Sequence, residues 1–228
     1  MSFITKSQNL IESVKSGRDY HNTQLEIATG KLENLFSELN EDAKTLAFWI
    51  NIYNAFIQII LIEKPEIYHH RKEFFGGKHS KVAGQKISLD NIEHGILRRS
   101  KWKYSFGYIS SPFITSFERA FRVVRVDPRI HFALNCGASS CPPIRSYNPD
   151  DLEQQLELAT ESYLEAEINY LPDKNIMVIP AIFNWFRGDF GGKKGIVEFL
   201  RKYYSSSHVN FKISFKAYDW GMKLNNYV

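Results

Sequence analysis

Two cysteines in 228 residues allow at most one disulfide, so stability has to come mainly from a buried core, for which this length suffices without disulfides or metals. Charge of one sign is not concentrated either. Against 25 Asp and Glu stand 29 Lys and Arg, scattered through "RRSKWK", "GGKKG" and "LRKYY", which offers nucleic acid no continuous electrostatic footprint. No apolar run reaches bilayer length. The candidate at residues 46–62 falls just short and carries amides that hydrocarbon would penalise. The opening "MSFITKSQNLIESVKSGRDY" has no basic segment leading into an apolar stretch and a small-residue cleavage site. The expectations are no nucleic-acid partner, no membrane span and a cytoplasmic protein, in which two thiols need not pair. Repeats and low-complexity linkers are missing too, so a single domain over residues 1–228 is expected, with residues 1–40 as an N-terminal helical segment.

What is present begins with "FWINIYNAFIQIILIE", residues 48–63. It is apolar except for Asn51, Asn54 and Gln58, which share one stripe of a helix. Amides kept on such a face predict buried hydrogen bonds, at least one of them to the backbone of the loop "NCGASSCPP". Around this helix the pattern is mixed. Helices are expected in "FITKSQNLIESVKSG", closed by Gly17, and in "NTQLEIATGKLENLFSEL", with Asn40 capping the long helix that Pro65 ends. "KVAGQKISL" reads as a short strand pair, Ser88 caps a helix in "SLDNIEHGILRRS", and "RIHFAL" reads as a strand introduced by Asp127 and Pro128. An amphipathic helix starts at Pro149, "NIMVIP" is a strand, "KKGIVEFLRKYY" a helix and "NFKISFKAYDW" a closing strand. The class is α+β, a helix-rich first half packed on a small mixed or antiparallel sheet.

Chemistry concentrates in "DPRIHFALNCGASSCPP", where His131 precedes both cysteines in a loop of small residues. A thiol beside an imidazolium ionises near neutral pH, from ~8.5 toward ~3.5–7.5. Cys136 is followed by Gly137 and Ala138, whose N–H groups could face an oxyanion. Cys141 is followed by Pro142 and Pro143, which have none. That favours Cys136 as nucleophile, with Cys141 as partner thiol or structural residue. Two buried cysteines beside a core histidine is the bland alternative. A zinc set of His131, Cys136 and Cys141 lacks the short cysteine pair and needs a remote fourth ligand such as His94 or Asp189. A reversible disulfide across the loop is a further alternative. Glu93 borders a buried helix face, either paired with Arg98, Arg129 or Arg145 or orienting the imidazole, while His94 projects further toward solvent. Asp189, in "FNWFRGDFGG", reads as part of a structural turn, since a lone Asp-Phe-Gly without a Gly-rich ATP loop does not make a kinase.

The segments "AFWINIYNA", "SLDNIEHGILR", "DPRIHFALNCGASSCPPIR", "FNWFRGDFGG" and "YDWGMKLN", in this order, resemble the domain of unknown function 547 family over residues 43–225. The resemblance implies that Asn51, Tyr53, Asn54, Glu93, Arg98, Arg129, His131, Cys136, Cys141 and Pro142 belong to a shared framework. A helix with Asn51 and Asn54 against a strand with His131 is distantly similar to the papain-like and transglutaminase-like layout, with an asparagine where those enzymes carry the nucleophile.

The reading these residues favour is a thiol-dependent hydrolase or acyl transferase acting on an amide or ester of a peptide or small molecule, with no cofactor and no metal. Cys136 is its nucleophile, His131 the base, Glu93 the orienter and Asn51 a hydrogen-bond donor at the site. Cys141, Asn54 and Arg129 complete the set. The competing class is a non-catalytic module that docks a protein or peptide, its Cys/His loop being structural.

Overall fold

A computed structural model of the chain describes residues 1–204 and 211–228. Helices α1 (Phe3–Lys15), α2 (His21–Thr29) and α3 (Leu32–Glu38) precede the long α4 (Asp42–Glu63). The single helix expected over "NTQLEIATGKLENLFSEL" is interrupted at Gly30, whose backbone is extended. A Cβ there would overlap the Phe3 ring, so the glycine lets α1 close over the break. Asn40 is not the cap of α4. The helix starts one residue later, and Asp42 in its first turn accepts the N–H groups of Val124 and Arg125 at 2.8 and 3.1 Å.

Helix α4 extends beyond the apolar run at residues 46–62 and over its 22 residues is, contrary to the expectation, long and apolar enough to cross a bilayer, yet it runs through the interior of the fold. Every residue from Thr45 to Leu61 is buried, with α1 packed along it. It is the core helix of the molecule. Beyond it lie α5 (Arg71–Gly76), the hairpin β1 (Ser80–Val82) and β2 (Gln85–Ile87), a π-helix at Asn91–Leu97, and α6 (Ser116–Phe121). Just before the π-helix the Ser88 hydroxyl accepts from the Asn91 N–H. Thr115 and Glu118 form a reciprocal capping box on α6.

His131 does not lie on a strand. Pro128–Phe132 is one turn of 3₁₀ helix, capped by the Asp127 side chain on the Arg129 N–H and started by proline. The apolar alternation of "RIHFAL" has another cause. Ile130 enters the main core around α4, whereas Phe132 enters a second core. That second core is shared by α7 (Leu152–Glu167), β3 (Asn169–Leu171), β4 (Ile176–Ile179), α8 (Ile182–Trp185) and α9 (Gly192–Tyr203). Strand β3 pairs antiparallel with β4, and β4 pairs parallel with β5 (Lys212–Phe215). The fold is α+β, with one mixed sheet and one antiparallel hairpin among the described residues. With His131 on a helical turn, the papain-like and transglutaminase-like layout is not reproduced. Asn210, placed at the start of the closing strand by sequence, lies outside the described residues.

Candidate functional site

The three amides of α4 are buried, and each holds a different loop. Asn51 accepts the Tyr147 N–H at 2.8 Å and donates to the Tyr147 carbonyl at 2.9 Å. Asn54 accepts the Asn135 N–H and donates to the Ala133 carbonyl, both at 2.9 Å. Gln58 accepts the Asn225 N–H at 3.1 Å. The helix thus fixes both ends of the cysteine loop and the C-terminal tail. The tail lies alongside that loop, with Ser139 donating to the Gly221 carbonyl and Lys223 to the Gly137 carbonyl. Its Tyr218 reaches the sulfurs. Asn51 is therefore bonded to the Tyr147 backbone and the Ser7 hydroxyl, not to either cysteine or to His131.

Cys136 and Cys141 are joined as a disulfide. Their surroundings differ. Cys141 is buried, and its sulfur accepts the Cys136 N–H at 2.9 Å and the Ala138 N–H at 3.4 Å. Cys136 is half-buried and its side chain lines a cavity of about 310 Å³. The Tyr218 hydroxyl stands 3.0 Å from Cys136 Sγ and 3.1 Å from Cys141 Sγ. The oxyanion face expected beside Cys136 is therefore taken: Ala138 N–H points at Cys141, and Gly137 N–H donates to Asn135 Oδ1 at 2.9 Å.

Glu93, His94, His131, Tyr53 and Tyr218 share the cavity wall with Cys136, and Trp185, Trp220 and Phe186 give it aromatic faces. The imidazole is oriented by Asp189, not by Glu93. His131 Nε2 donates to Asp189 Oδ2 at 2.9 Å, and Phe186 stacks on the ring at 4.0 Å between centroids. Nδ1 has no hydrogen-bond partner among the described residues. Asp189 also accepts from Arg98 Nε at 2.6 Å, in an ion pair wholly removed from solvent. Arg98 Nη1 donates to His94 Nδ1 at 2.8 Å. His94 is thus drawn inward rather than projecting to solvent.

The ionisation states follow from these contacts. Burial disfavours charge on Asp189, but His131 and Arg98 outweigh it and hold the carboxyl below its ordinary range. Burial lowers His131 despite Asp189, and burial with the Arg98 charge lowers His94 much further. Both imidazoles are neutral at pH 7. Among the described residues Glu93 pairs with no arginine. Tyr53 donates to it at 3.0 Å, and burial raises its carboxyl to about 7 in spite of Arg98.

Arg129 belongs elsewhere. It clamps Asp127 and Glu153, with Nη2–Oδ2 and Nη1–Oε1 distances of 2.6 Å each, and fixes the His131 turn to α7 from outside. His131, Cys136 and Cys141 do not converge as zinc ligands, since each sulfur is bound to the other and the imidazole is bound to Asp189.

The roles of two residues of the site escape sequence reasoning. Asp189 reads as a turn, or as a remote zinc ligand, and the turn is real, but Gly107, at φ +87°, lets a neighbouring loop close on it. Tyr218 sits in an unremarkable aromatic run. Only the distant pairing of the tail with the cysteine loop could reveal it.

A family model described as "Protein of unknown function, DUF547" matches residues 36–164. The match takes in the α4 amides, Glu93, His131 and both cysteines, and stops short of Asp189 and Tyr218. No curated protein and no solved structure matches the chain.

Proposed function

The chain belongs to the DUF547 family, and from that premise we propose that its cavity carries out thiol–disulfide exchange at the Cys136–Cys141 pair. The observation that carries this reading is the asymmetry of the two sulfurs. Cys136 faces a cavity that holds acid–base groups, and Cys141 lies behind it under two N–H donors, with the Tyr218 hydroxyl set between the two sulfurs.

Such a pair suits attack from the cavity. A substrate thiolate bonds to Cys136 Sγ, the S–S bond breaks, and its electron pair leaves on Cys141 Sγ. Hydrogen bonds to the departing sulfur stabilise its charge, and a leaving thiol of lower pKa leaves faster. A second substrate thiolate then attacks the mixed disulfide at the substrate sulfur. The products are substrate disulfide and the reduced pair, and a small-molecule disulfide restores the oxidised pair. The neutral His131, with Nε2 held by Asp189, takes the substrate's thiol proton at Nδ1. In the reducing cytoplasm expected from the sequence, a cysteine pair that closes is transient and catalytic or redox-sensing.

The hydrolase and acyl-transferase reading keeps one observation in its favour: reduced Cys136 would share its cavity with the His131–Asp189 pair. It lacks the N–H pair it needs, which is turned to Cys141 and Asn135. A docking module predicts no chemistry at the pair. Assaying each single cysteine-to-serine variant with a small thiol, a small disulfide and an activated ester separates the three. Exchange predicts that Cys141→Ser forms a stable mixed disulfide at Cys136 without hydrolysing the ester. Ester turnover that survives in Cys141→Ser and vanishes in Cys136→Ser would favour the hydrolase, and two inert variants the module.

A further inference from the structure

Residues 94–117 contain no Asp or Glu, but do contain Arg98, Arg99, Lys101 and Lys103; Arg98 is buried against Asp189 and Lys103 pairs with Asp90, which leaves Arg99 and Lys101 uncompensated among the described residues. Within them the chain forms a finger. Trp102 N–H donates to the Ile109 carbonyl at 2.9 Å and Ser111 N–H to the Ser100 carbonyl at 2.7 Å, and the Gly188 N–H ties the tip at the Phe106 carbonyl at 2.7 Å. The finger is well bonded, yet it exposes Trp102, Tyr104, Phe106, Tyr108, Ile109 and Phe113, the last 88% accessible. One short segment thus presents six large apolar side chains to solvent, held there by its own hydrogen bonds.

We propose that this finger docks on an anionic lipid surface. Arg99, Lys101, Arg122 and Arg187 have no ion pair among the described residues. Arg122 is joined to the base of the finger through Ser100 Oγ at 3.4 Å, and Arg187 stacks on Phe106 at 4.3 Å. Aromatic rings set among unpaired cations match the headgroup boundary of an anionic bilayer. Ile109 and Phe113 bring purely apolar surface, which suits acyl chains better than nucleotide bases. A second copy fits poorly, because a two-fold contact through this face sets the same cations against one another. The finger is also continuous with the site. A groove of about 200 Å³ between Trp102 and Phe113 shares Asp90, His94 and Lys103 with the cavity wall. The surface stands independently of the exchange chemistry.

Cosedimentation of the full chain with phosphatidylcholine vesicles, alone or mixed with phosphatidylglycerol, tests this. The chain should bind the mixed vesicles, with affinity falling as salt rises. Trp102→Ser with Phe113→Ser should weaken binding by about tenfold or more. Arg99→Gln with Lys101→Gln should weaken it by roughly 30-fold, at about 1 kcal/mol for each cation near the surface. All four positions lie outside the core, and circular dichroism confirms that the variants fold. Bromine-labelled acyl chains should quench tryptophan fluorescence of the unaltered protein. The proposal is overturned if the chain ignores anionic vesicles, if both double variants bind like the parent, or if the finger instead mediates a dimer that Phe113→Ser dissolves.

Discussion

The Cys136 backbone N–H points at the Cys141 sulfur from 2.9 Å, so the more accessible cysteine supplies a donor to the buried one. The Tyr218 hydroxyl lies between the two sulfurs, 3.0 Å from Cys136 Sγ and 3.1 Å from Cys141 Sγ, and can turn to the one that departs. Burial holds the phenol well above its ordinary pKa, so it stays a neutral donor at any working pH. Replacing it with phenylalanine removes one hydrogen bond to the leaving sulfur. Tyr218→Phe should slow the first exchange step about five- to tenfold, the worth of a single hydrogen bond. Stopped-flow reaction with a small thiol measures it, and an unchanged rate would remove Tyr218 from the chemistry.

Asn54→Ala should destabilise the protein by roughly 2–5 kcal/mol. The substitution strands the Asn135 N–H and the Ala133 carbonyl inside the core and leaves a small cavity. Urea unfolding checks the figure. A loss below about 0.5 kcal/mol would mean the loop is held by other contacts.

Glu93 controls a pH-dependent share of stability. Its folded carboxyl is raised to about 7 from 4.5. Below pH ~4.5 it is protonated in both folded and unfolded chains; between ~4.5 and ~7 the unfolded chain ionises first, so the folded state loses ground as pH rises. The full loss, reached above pH ~7, is about 3 kcal/mol. Glu93→Gln cannot ionise and still accepts from Tyr53. Its melting temperature should draw ahead of the parent's between pH ~4.5 and ~7.5, whereas parallel curves would show an ordinary carboxyl.

The buried pair of Arg98 and Asp189 makes the site intolerant of half-measures. Asp189→Asn leaves a guanidinium buried without its counter-charge and should cost about 3–5 kcal/mol. It should also remove the negative charge that favours the His131 imidazolium, lowering that pKa further. Thermal unfolding reads the first effect and imidazole carbon-proton shifts the second. A His131 titration that does not move would mean the imidazole is held by packing against Phe186.

Much of this was open to reading from sequence where the signal is local. The amide stripe of α4, the helix from Pro149, the hairpin at "KVAGQKISL" and the strand "NIMVIP" follow from periodicity and turn residues acting over a few positions. "RIHFAL" misled because two cores on opposite sides of one helical turn imitate the two faces of a strand. The clustering of His131 with both cysteines correctly marked one cavity wall for His131 and Cys136, but not which carboxylate serves the imidazole. Glu93 and Asp189 are both acids within two residues of a glycine, and only tertiary packing brings Asp189 to Nε2. Tyr218 depends on a tail pairing some 80 residues away from the cysteines, which no local pattern encodes.

The most direct test is to map where a thiol adds. The native protein is mixed with 2-mercaptoethylamine, quenched with iodoacetamide, and the tryptic peptide spanning residues 130–145 is read by tandem mass spectrometry. The exchange account predicts a mercaptoethylamine disulfide on Cys136 and a carbamidomethyl group on Cys141 in the same peptide. An adduct on Cys141, or a pair that stays closed until the protein is denatured, would contradict it.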